Sequence, residues 1–348
     1  MSQDFKPFKL PTGDLYEGAL INDLPEGPGK ITYCNGDVYI GSFKSGKFSG
    51  AGHLIFKNGD YYKGEFLNGL FGGKGTLQLQ GNFYEGTFKK GRKHGQGRLK
   101  YKNGAIYEGE FKKNKKHGFG VSEEEEVRYE GEFSEDFFNG KGIMRFQNLE
   151  EYKGDFKKGK FEGYGVLKTF NGDIFEGQYK NSDLDGLGLV FYKNGDTYNG
   201  NFKTGVKEGK GTMRFSNGAT YEGEFLAGEI TGQGKMKYEK GGYYEGGFLK
   251  GERQGRGLFK FPNGDVYDGE FKIGEMEGKG KMRFFEGDEY EGEFKANLEE
   301  GKGVMKHKNG DVYEGEFMGG VKNGEGIYKL KNGVIIKVNA VDGKMEEI

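Results

Sequence analysis

Aromatic residues and glycines alternate with charged residues along most of the chain. In residues 221–225 (Tyr-Glu-Gly-Glu-Phe) the period is two, so Tyr221, Gly223 and Phe225 fall on one face of an extended strand and the two glutamates on the other. Residues 209–215 (Gly-Lys-Gly-Thr-Met-Arg-Phe) alternate in the same way. The pattern predicts pairs of short β-strands with one face of rings and glycines and one charged face.

Both patterns recur at a fixed interval. The aromatic-x-Gly-x-aromatic motif occurs fourteen times, with Leu20 replacing the second ring once, and successive copies are 23 residues apart except for two intervals of 22. A Gly-x-Gly motif begins nine residues after each central glycine. The first aromatic residues are Tyr16, Tyr39, Tyr62, Tyr84, Tyr107, Tyr129, Tyr152, Phe175, Tyr198, Tyr221, Tyr244, Tyr267, Tyr290 and Tyr313. This regularity predicts a repeat protein in which each repeat contributes one hairpin.

Turn signals connect the predicted strands. Asn-Gly follows the second strand at 35–36, 58–59, 194–195 and 263–264, and predicts a two-residue type I′ turn with positive φ at both residues. A six-residue loop is predicted between the two strands of a repeat. Glycine within a strand is expected where a ring approaches the backbone, and we expect the ring of a neighbouring repeat there. The predicted fold is all-β, an elongated, twisted, single-layer antiparallel β-meander solenoid of about 14 tandem hairpin repeats of 22–23 residues.

The predicted boundaries follow the aromatic motif. Residues 1–15 form an N-terminal half-repeat cap that opens with a lone second strand, and residues 336–348 form a C-terminal cap end and polar tail. The fourteen repeats between them are 16–38, 39–61, 62–83, 84–106, 107–128, 129–151, 152–174, 175–197, 198–220, 221–243, 244–266, 267–289, 290–312 and 313–335.

Composition narrows the class of protein. The 348 residues include 53 Lys+Arg against 54 Asp+Glu, a balance that argues against a nucleic-acid partner. The 22 Tyr and 31 Phe argue against a disordered glycine-rich chain, and the 69 Gly do not recur at every third residue as in collagen. One cysteine, Cys34, excludes an intramolecular disulfide. With no apolar run near the roughly 20 residues of a membrane span and no secretory signal, we expect an intracellular protein.

Catalytic and metal-binding patterns are weak. His94 and His117 hold the same repeat position two strands apart, about 10 Å, which is too far for one metal ion. Residues 72–75 (Gly-Gly-Lys-Gly) lack the Ser/Thr and the helix of a phosphate-binding loop. We therefore expect no enzymatic activity, no metal site and no cofactor.

Two neighbouring loops concentrate positive charge. Residues 89–94 and 112–117 are predicted to place eight cations on one edge of adjacent repeats. A cluster of this size suits anionic phospholipid or an acidic protein segment, while a solvated loop edge is the alternative. The eight cations are Lys89, Lys90, Arg92, Lys93, Lys112, Lys113, Lys115 and Lys116.

Two places depart from the repeat. Residues 121–126 (Val-Ser-Glu-Glu-Glu-Glu) lack Asn-Gly and put Ser122 and Glu124 at inward positions, which indicates a tolerated local defect, a kink or a docking point for a partner. Leu149 stands where the turn glycine is expected, so we expect that turn to differ.

The repeat resembles the MORN (membrane occupation and recognition nexus) family. Residues 107–111 (Tyr-Glu-Gly-Glu-Phe) and 115–120 (Lys-Lys-His-Gly-Phe-Gly) match its unit closely, and the resemblance covers about residues 8–338. The residues that we expect to hold this frame include Tyr107, Gly109, Phe111, Gly118, Gly120, Tyr221, Gly223, Phe225, Gly232 and Gly234.

The resemblance implies an elongated scaffold rather than a reaction. Its members include radial-spoke-head and other axonemal proteins, cytoskeletal organisers and junctional membrane tethers. We expect a non-catalytic scaffold for protein–protein interaction in a cytoskeletal assembly. The assembly that the resemblance favours most is the ciliary or flagellar axoneme, with a role of the radial-spoke type. The alternative is a peripheral membrane scaffold that binds anionic phospholipid through the basic loops. The implied partners are other proteins of such a complex, a second copy of the chain or an anionic membrane.

Overall fold

The computed structural model describes residues 7–348 as 31 β-strands, with no helix in that part of the chain. The chain divides into two compact units. Unit 1 comprises the described residues up to Phe170 together with Lys180–Ser182, and unit 2 comprises Asn171–Tyr179 and Asp183–Ile348. Within each unit, strands that follow one another in sequence pair antiparallel. The predicted fold class, an all-β antiparallel meander of tandem hairpins, is confirmed.

The strands alternate between seven and about nine residues. The first fifteen are β1 (Phe8–Lys9), β2 (Leu15–Ile21), β3 (Leu24–Thr32), β4 (Val38–Lys44), β5 (Lys47–Ile55), β6 (Tyr61–Leu67), β7 (Leu70–Leu79), β8 (Asn82–Lys89), β9 (Arg92–Lys100), β10 (Ile106–Lys112), β11 (Lys115–Glu123), β12 (Val127–Ser134), β13 (Phe137–Phe146), β14 (Glu151–Lys157) and β15 (Lys160–Lys168). The remainder are β16 (Ile174–Lys180), β17 (Asp183–Phe191), β18 (Thr197–Lys203), β19 (Val206–Arg214), β20 (Thr220–Leu226), β21 (Glu229–Lys237), β22 (Tyr243–Leu249), β23 (Glu252–Lys260), β24 (Val266–Lys272), β25 (Glu275–Arg283), β26 (Glu289–Lys295), β27 (Leu298–Lys306), β28 (Val312–Met318), β29 (Val321–Lys329), β30 (Ile335–Val341) and β31 (Lys344–Glu347).

The two strands of one repeat are joined by a tight turn, and the predicted six-residue loop is wrong. Strand β10 ends at Lys112 and β11 begins at Lys115. The two residues between them, Lys113 and Asn114, have φ of 53° and 77°, as a type I′ turn requires. The strands run this far because a register shift between Gly109 and Phe111 accommodates two extra residues of β11 within residues 117–119.

Asn-Gly lies in the longer connections, so the predicted two-residue turn there is also wrong. Five residues, 33–37, separate β3 from β4. Within them Gly36 has a φ of 94°, and its N–H donates to the Tyr33 carbonyl at 2.9 Å. The side-chain oxygen of Asn35 accepts from the N–H of Asp37 at 2.9 Å. Asparagine therefore caps the loop through its side chain instead of adopting positive φ.

Each tyrosine ring covers the glycines of its own repeat, so the predicted ring from the neighbouring repeat is wrong. A Cβ atom on Gly64 would lie 2.6 Å from the Tyr62 hydroxyl oxygen, and one on Gly75 would lie 2.5 Å from the same atom. The Tyr62 hydroxyl donates to the Glu65 carbonyl at 2.8 Å. The paired glycines leave room for the ring, and the hydrogen bond fixes its position.

The neighbouring repeat contributes phenylalanine instead. Around Tyr62, Phe71 stacks with ring centroids 3.8 Å apart, and Phe66 packs edge-on at 5.0 Å. Phe88 of the next repeat packs edge-on at 5.0 Å. Edge-to-face pairs contribute about 0.5–1.5 kcal/mol beyond the area that they bury. A ladder of rings therefore joins consecutive repeats within each unit.

The predicted faces are confirmed. Tyr107 and Tyr221 are fully buried, and Phe111 and Phe225 are only 3% and 4% exposed. Glu222, between the ring positions, is exposed. Period two thus sorts core from solvent in a sheet one layer thick.

The ends of the chain add strands. Strand β1 pairs with β2 through Phe8 and Tyr16, as the predicted half-repeat cap requires, while residues 1–6 of that cap lie outside the described residues. At the other end, β31 pairs with β30, with Val338 opposite Glu347. The predicted polar tail therefore contains a further strand.

The acidic segment is a local change. Ser122 is buried between Tyr107 and Tyr129 of the flanking strands, and pairing continues on both sides of β11. Glu124 is exposed and not inward as predicted, because its N–H donates to the Val127 carbonyl at 2.9 Å in a shortened connection. That connection has three residues, 124–126, where most have five.

Leu149 adopts the conformation of the glycine that it replaces. Its φ is 71°, its N–H donates to the Phe146 carbonyl at 3.1 Å, and its side chain is 83% exposed. The expectation that this turn differs is wrong, since the hydrogen bond matches the one at Gly36. The leucine carries the cost of left-handed backbone, which is roughly 1–2 kcal/mol for a residue with a Cβ atom.

We expect Leu149→Gly to stabilise the protein by about 0.5–1 kcal/mol, because relief of the left-handed strain exceeds the added flexibility of the unfolded chain. Thermal unfolding should show a higher Tm. The control is Asn148→Gly, which loses the hydrogen bond from the Glu150 N–H and should lower Tm. An unchanged or lower Tm for Leu149→Gly would contradict the strain assignment.

Candidate partner-binding surfaces

The hairpin tips of unit 1 carry most of the predicted basic edge. Lys89 and Arg92 flank the turn at Lys90, and Lys112 flanks the turn at Lys113. All five side chains are exposed, as is Lys115. The structure therefore places six of the eight predicted cations at the edge of the sheet.

The other two cations turn inward. The Lys93 ammonium lies 5.1 Å from the centroid of the Tyr84 ring, and the Lys116 ammonium lies 5.0 Å from that of Tyr107 and 5.4 Å from that of Tyr101. Burial lowers the pKa of both lysines. Their prediction as edge residues is wrong, because each occupies an inward strand position where Phe71 stacks in another repeat.

An acidic tip follows the basic ones. The Lys115 ammonium is 2.5 Å from a carboxylate oxygen of Glu135, and the Lys116 N–H donates to Asp136 at 2.8 Å. The hydrogen bond with Glu135 raises the pKa of Lys115 and lowers that of Glu135. Lys115 is thus partly neutralised, and the unopposed charge lies on Lys89, Lys90, Arg92, Lys112 and Lys113.

Basic tips occur elsewhere in unit 1, where the sequence analysis missed them. Lys44 and Lys47 flank one turn, and Lys157, Lys158 and Lys160 form another. Phe48 and Phe161 follow these tips where Lys93 and Lys116 extend the runs at 89–93 and 112–116, so a search for long charge runs passes over them. The repeat frame itself was the available signal, because every tip occupies the same repeat position.

A groove crosses the strands on the face opposite the tyrosine rings. Its floor in unit 1 is the backbone of paired glycines such as Gly64 and Gly75, and its volume is about 990 Å³. Ile40, His53 and Thr76 are among the wall residues. We call this surface the glycine groove.

Unit 2 has comparable grooves. One of about 690 Å³ is floored by glycines that include Gly211 and Gly223, and another of about 600 Å³ includes Gly303 and Gly315. Their walls carry different side chains at equivalent positions, with Asn199 in the first groove where Ile40 stands in unit 1, and Val304 in the second where Thr76 stands. Repetition therefore supplies several binding surfaces of one shape and different chemistry.

Side-chain hydrogen bonds tie each repeat to the next. The aspartate after Asn-Gly accepts from a backbone N–H twenty residues ahead, as Asp265 does from Phe285 at 2.8 Å. The N–H of Ser216 lowers the pKa of Asp196 in the same way. We call this contact the aspartate latch. Its acceptor and donor residues are Asp14–Cys34, Asp37–Lys57, Asp60–Gln80, Asn82–Lys102, Asp173–Lys193, Asp196–Ser216, Asp265–Phe285, Asp288–Lys308 and Asp311–Lys331.

A second latch spans nineteen residues at the hairpin tips. The side chain just before the Gly-x-Gly motif accepts from the N–H of a turn residue of the next repeat, which has positive φ, as Glu208 does from Ala227 at 3.3 Å. The pairs are Glu26–Ser45, Glu162–Asn181, Asp185–Thr204, Glu208–Ala227, Gln254–Ile273, Glu277–Ala296 and Glu300–Gly319. The two latches join neighbouring repeats along the two edges of the sheet, one latch at each edge. Neither latch was predicted from the sequence.

We expect Asp265→Ala to destabilise the protein by about 1 kcal/mol, because the Phe285 N–H loses its acceptor and returns to solvent. Asp265→Asn keeps an acceptor and should lose less, as the natural Asn82 latch indicates. Guanidinium unfolding of both variants measures the difference. If Asp265→Ala and Asp265→Asn lose equal stability, the hydrogen bond of the latch contributes nothing, and the effect comes from the charge of the carboxylate.

In residues 7–348, no group of three or more His, Cys, Asp or Glu side chains is arranged to hold a metal ion. Among the same residues, no helix has the length and apolar character needed to cross a membrane.

Solved structures show only a distant likeness. The TCP10 domain of Danio rerio CPAP is 12% identical, covers 59% of this chain and 96% of its own, and has a TM-score of 0.35. The SAS-4 TCP domain of Drosophila melanogaster, in complex with a proline-rich motif of Ana2, is 14% identical, covers 57% of this chain and 83% of its own, and has a TM-score of 0.20. Virginiamycin B lyase of Staphylococcus aureus is 11% identical, covers 94% of this chain and 100% of its own, and has a TM-score of 0.12. Values this low carry no argument about function.

Comparison with curated proteins found no match. The MORN repeat pattern, in contrast, matches fourteen times, at residues 16–38, 39–61, 62–80, 84–106, 107–123, 129–149, 152–174, 175–197, 198–220, 221–243, 244–266, 267–289, 290–312 and 313–335. These matches span most of the chain and coincide with the hairpins described above. The chain belongs to the MORN repeat family.

Proposed function

We propose that the protein is a non-catalytic scaffold that binds other proteins of a cytoskeletal assembly inside the cell. The observation that carries this proposal is the glycine groove, which recurs in both units with different wall residues. A shallow groove with a backbone floor accommodates an extended segment of a partner better than a compact small molecule. Several such grooves on one chain can hold several partner segments.

Within that class, we propose a structural component of the ciliary or flagellar axoneme, of the radial-spoke type. The basis is the resemblance of the repeat to radial-spoke-head proteins of the MORN family. The test is the location of the tagged protein in ciliated cells after detergent extraction. Retention along the axoneme is expected. Retention in another cytoskeletal structure would refute the axonemal role, and complete release would refute the cytoskeletal scaffold as well.

Filling the groove tests whether it is the binding surface. Thr76→Arg places a long side chain over the groove floor in unit 1, where Gly64 and Gly75 lie. It should reduce retention in the extracted cytoskeleton without a large change in Tm. Ser216→Arg is the control, because Ser216 is exposed in a loop and lines none of the grooves described here. Equal retention of the two variants would contradict a role for this groove.

A further inference from the structure

Four of the hairpin tips of unit 1 oppose like charges. Lys89 pairs across its turn with Arg92, and Lys112 pairs with Lys115. The tips at Lys44–Lys47 and Lys157–Lys160 pair lysine with lysine in the same way. We call these four tips the basic tip row. We propose that the basic tip row binds an extended, glutamate- or aspartate-rich segment of a partner protein.

Like charges at paired strand positions destabilise a sheet, so the free protein holds these tips at a cost, which Glu135 reduces at the Lys112–Lys115 tip. The repeat does not require that arrangement, since the equivalent tip of unit 2 pairs Lys272 with Glu275. An anion seated at the tips of unit 1 removes the repulsion. The comparison of one fold position in two units thus indicates a surface built for an external negative charge.

The spacing of the tips makes the charges act together. Consecutive tips are two strands apart, about 10 Å, which is close to the Debye length of about 10 Å at 0.1 M salt. The tips at residues 89–92 and 112–115 are consecutive, and Lys90 and Lys113 extend from their turns. An extended chain advances about 3.3 Å per residue, so every third residue meets a tip.

An acidic chain fits this row better than a flat membrane. Neighbouring strands of a sheet rotate by about 20–25°, so consecutive tips point about 40–50° apart. A plane can meet one or two such tips, whereas an extended chain can follow them. Glu135 and Asp136 stand between Lys115 and the tip at Lys157, and an extended chain can place an uncharged residue opposite them, whereas a uniformly anionic plane cannot.

This inference rests on the proposed function in taking the partner to be a protein, but it concerns a different surface from the glycine groove. Its test uses purified full-length protein and therefore does not depend on where the protein resides in cells. Loss of cytoskeletal retention would refute the proposed scaffold and leave the peptide result intact. Failure to bind the peptide would refute the inference and leave retention through the groove intact.

The probe is a fluorescent peptide of glutamate and glycine about 12 residues long, which spans roughly 40 Å when extended. Fluorescence anisotropy should show binding that weakens as salt rises from about 0.05 M to about 0.5 M. The test variant replaces Lys89, Lys90, Lys112 and Lys113 with Gln. The control variant replaces the exposed loop residues Lys57, Lys102, Lys193 and Lys308 with Gln, which removes the same charge elsewhere.

We expect the test variant to bind about tenfold more weakly, which corresponds to about 1.4 kcal/mol, and the control variant to bind like wild type. The Tm of the test variant should be unchanged or higher, because repulsion is relieved. If the test and control variants lose equal affinity for the peptide, binding depends only on the net charge of the protein, and the proposal is overturned. So would failure of wild type to bind the peptide, whether or not it sediments with phosphatidylserine-containing vesicles.

Discussion

Gly223→Ala should destabilise the protein by about 3 kcal/mol, the upper part of the range for overpacking. A Cβ atom at this position would lie 2.6 Å from Cζ of Tyr221 and 2.6 Å from the Cα atom of Gly234 on the paired strand. Neither neighbour can retreat easily, because the ring is fully buried and the second atom is backbone. Guanidinium unfolding, followed by circular dichroism, measures the loss.

The control is Glu222→Ala, one residue away on the exposed face, which should cost under about 1 kcal/mol. A double variant tests the cause. Tyr221→Leu removes the ring that meets the new methyl group. The double variant Tyr221→Leu/Gly223→Ala should therefore lose less stability than the sum of the two single losses. Strict additivity would mean that the glycine is required for some reason other than the ring.

Glu299→Met should stabilise the protein by about 1–2 kcal/mol at neutral pH. Glu299 pairs with Phe294, at the inward strand position that Met276 fills one repeat earlier with 6% exposure. Burial raises the pKa of Glu299 above its usual 4.5. Ionisation of Glu299 at this position is therefore costly, whereas methionine packs there without that cost.

The pH dependence distinguishes this cause from simple packing. A raised pKa in the folded state means that the stability contributed by neutral Glu299 is fully present below pH 4.5 and is lost as the pH rises through the folded-state pKa. The advantage of Glu299→Met should therefore be smaller at pH 4 than at pH 7. Thermal unfolding at the two pH values measures it, with Glu325→Gln on the exposed face as the control. An advantage independent of pH would assign the effect to packing alone.

The repeat frame was predictable because two periods coincide. Period two assigned Tyr221 and Phe225 to the core, and the interval of 23 residues placed the hairpins. The same period of two places Lys93 on the inward face with Gly95, but the charge of Lys93 led to its prediction as an edge residue. The contact between the Lys93 ammonium and the Tyr84 ring explains the inward position, since the methylene stem of lysine can lie along an aromatic surface.

The turns and latches were less predictable. Positive φ is expected at glycine and asparagine, yet the tight turns place it at residues such as Lys113 and Glu135, where pairing of the flanking strands enforces it. The aspartate latch had a sequence signal, the recurring Asn-Gly-Asp, but its donor is a backbone N–H twenty residues away that no residue type marks. The basic tip row required knowledge of which residues face each other across a turn.

The latches reach nineteen and twenty residues, less than one full repeat of 23. Gain or loss of one whole 23-residue copy in a gene would therefore leave each surviving latch with an acceptor, a donor and a ring ladder in phase. A change of another length has to be absorbed within a connection, as the 22-residue repeats 62–83 and 107–128 do with the shortened connections at 80–81 and 124–126. The number of repeats can thus change by one whole repeat at a time during evolution. The number of grooves and charged tips would change with it.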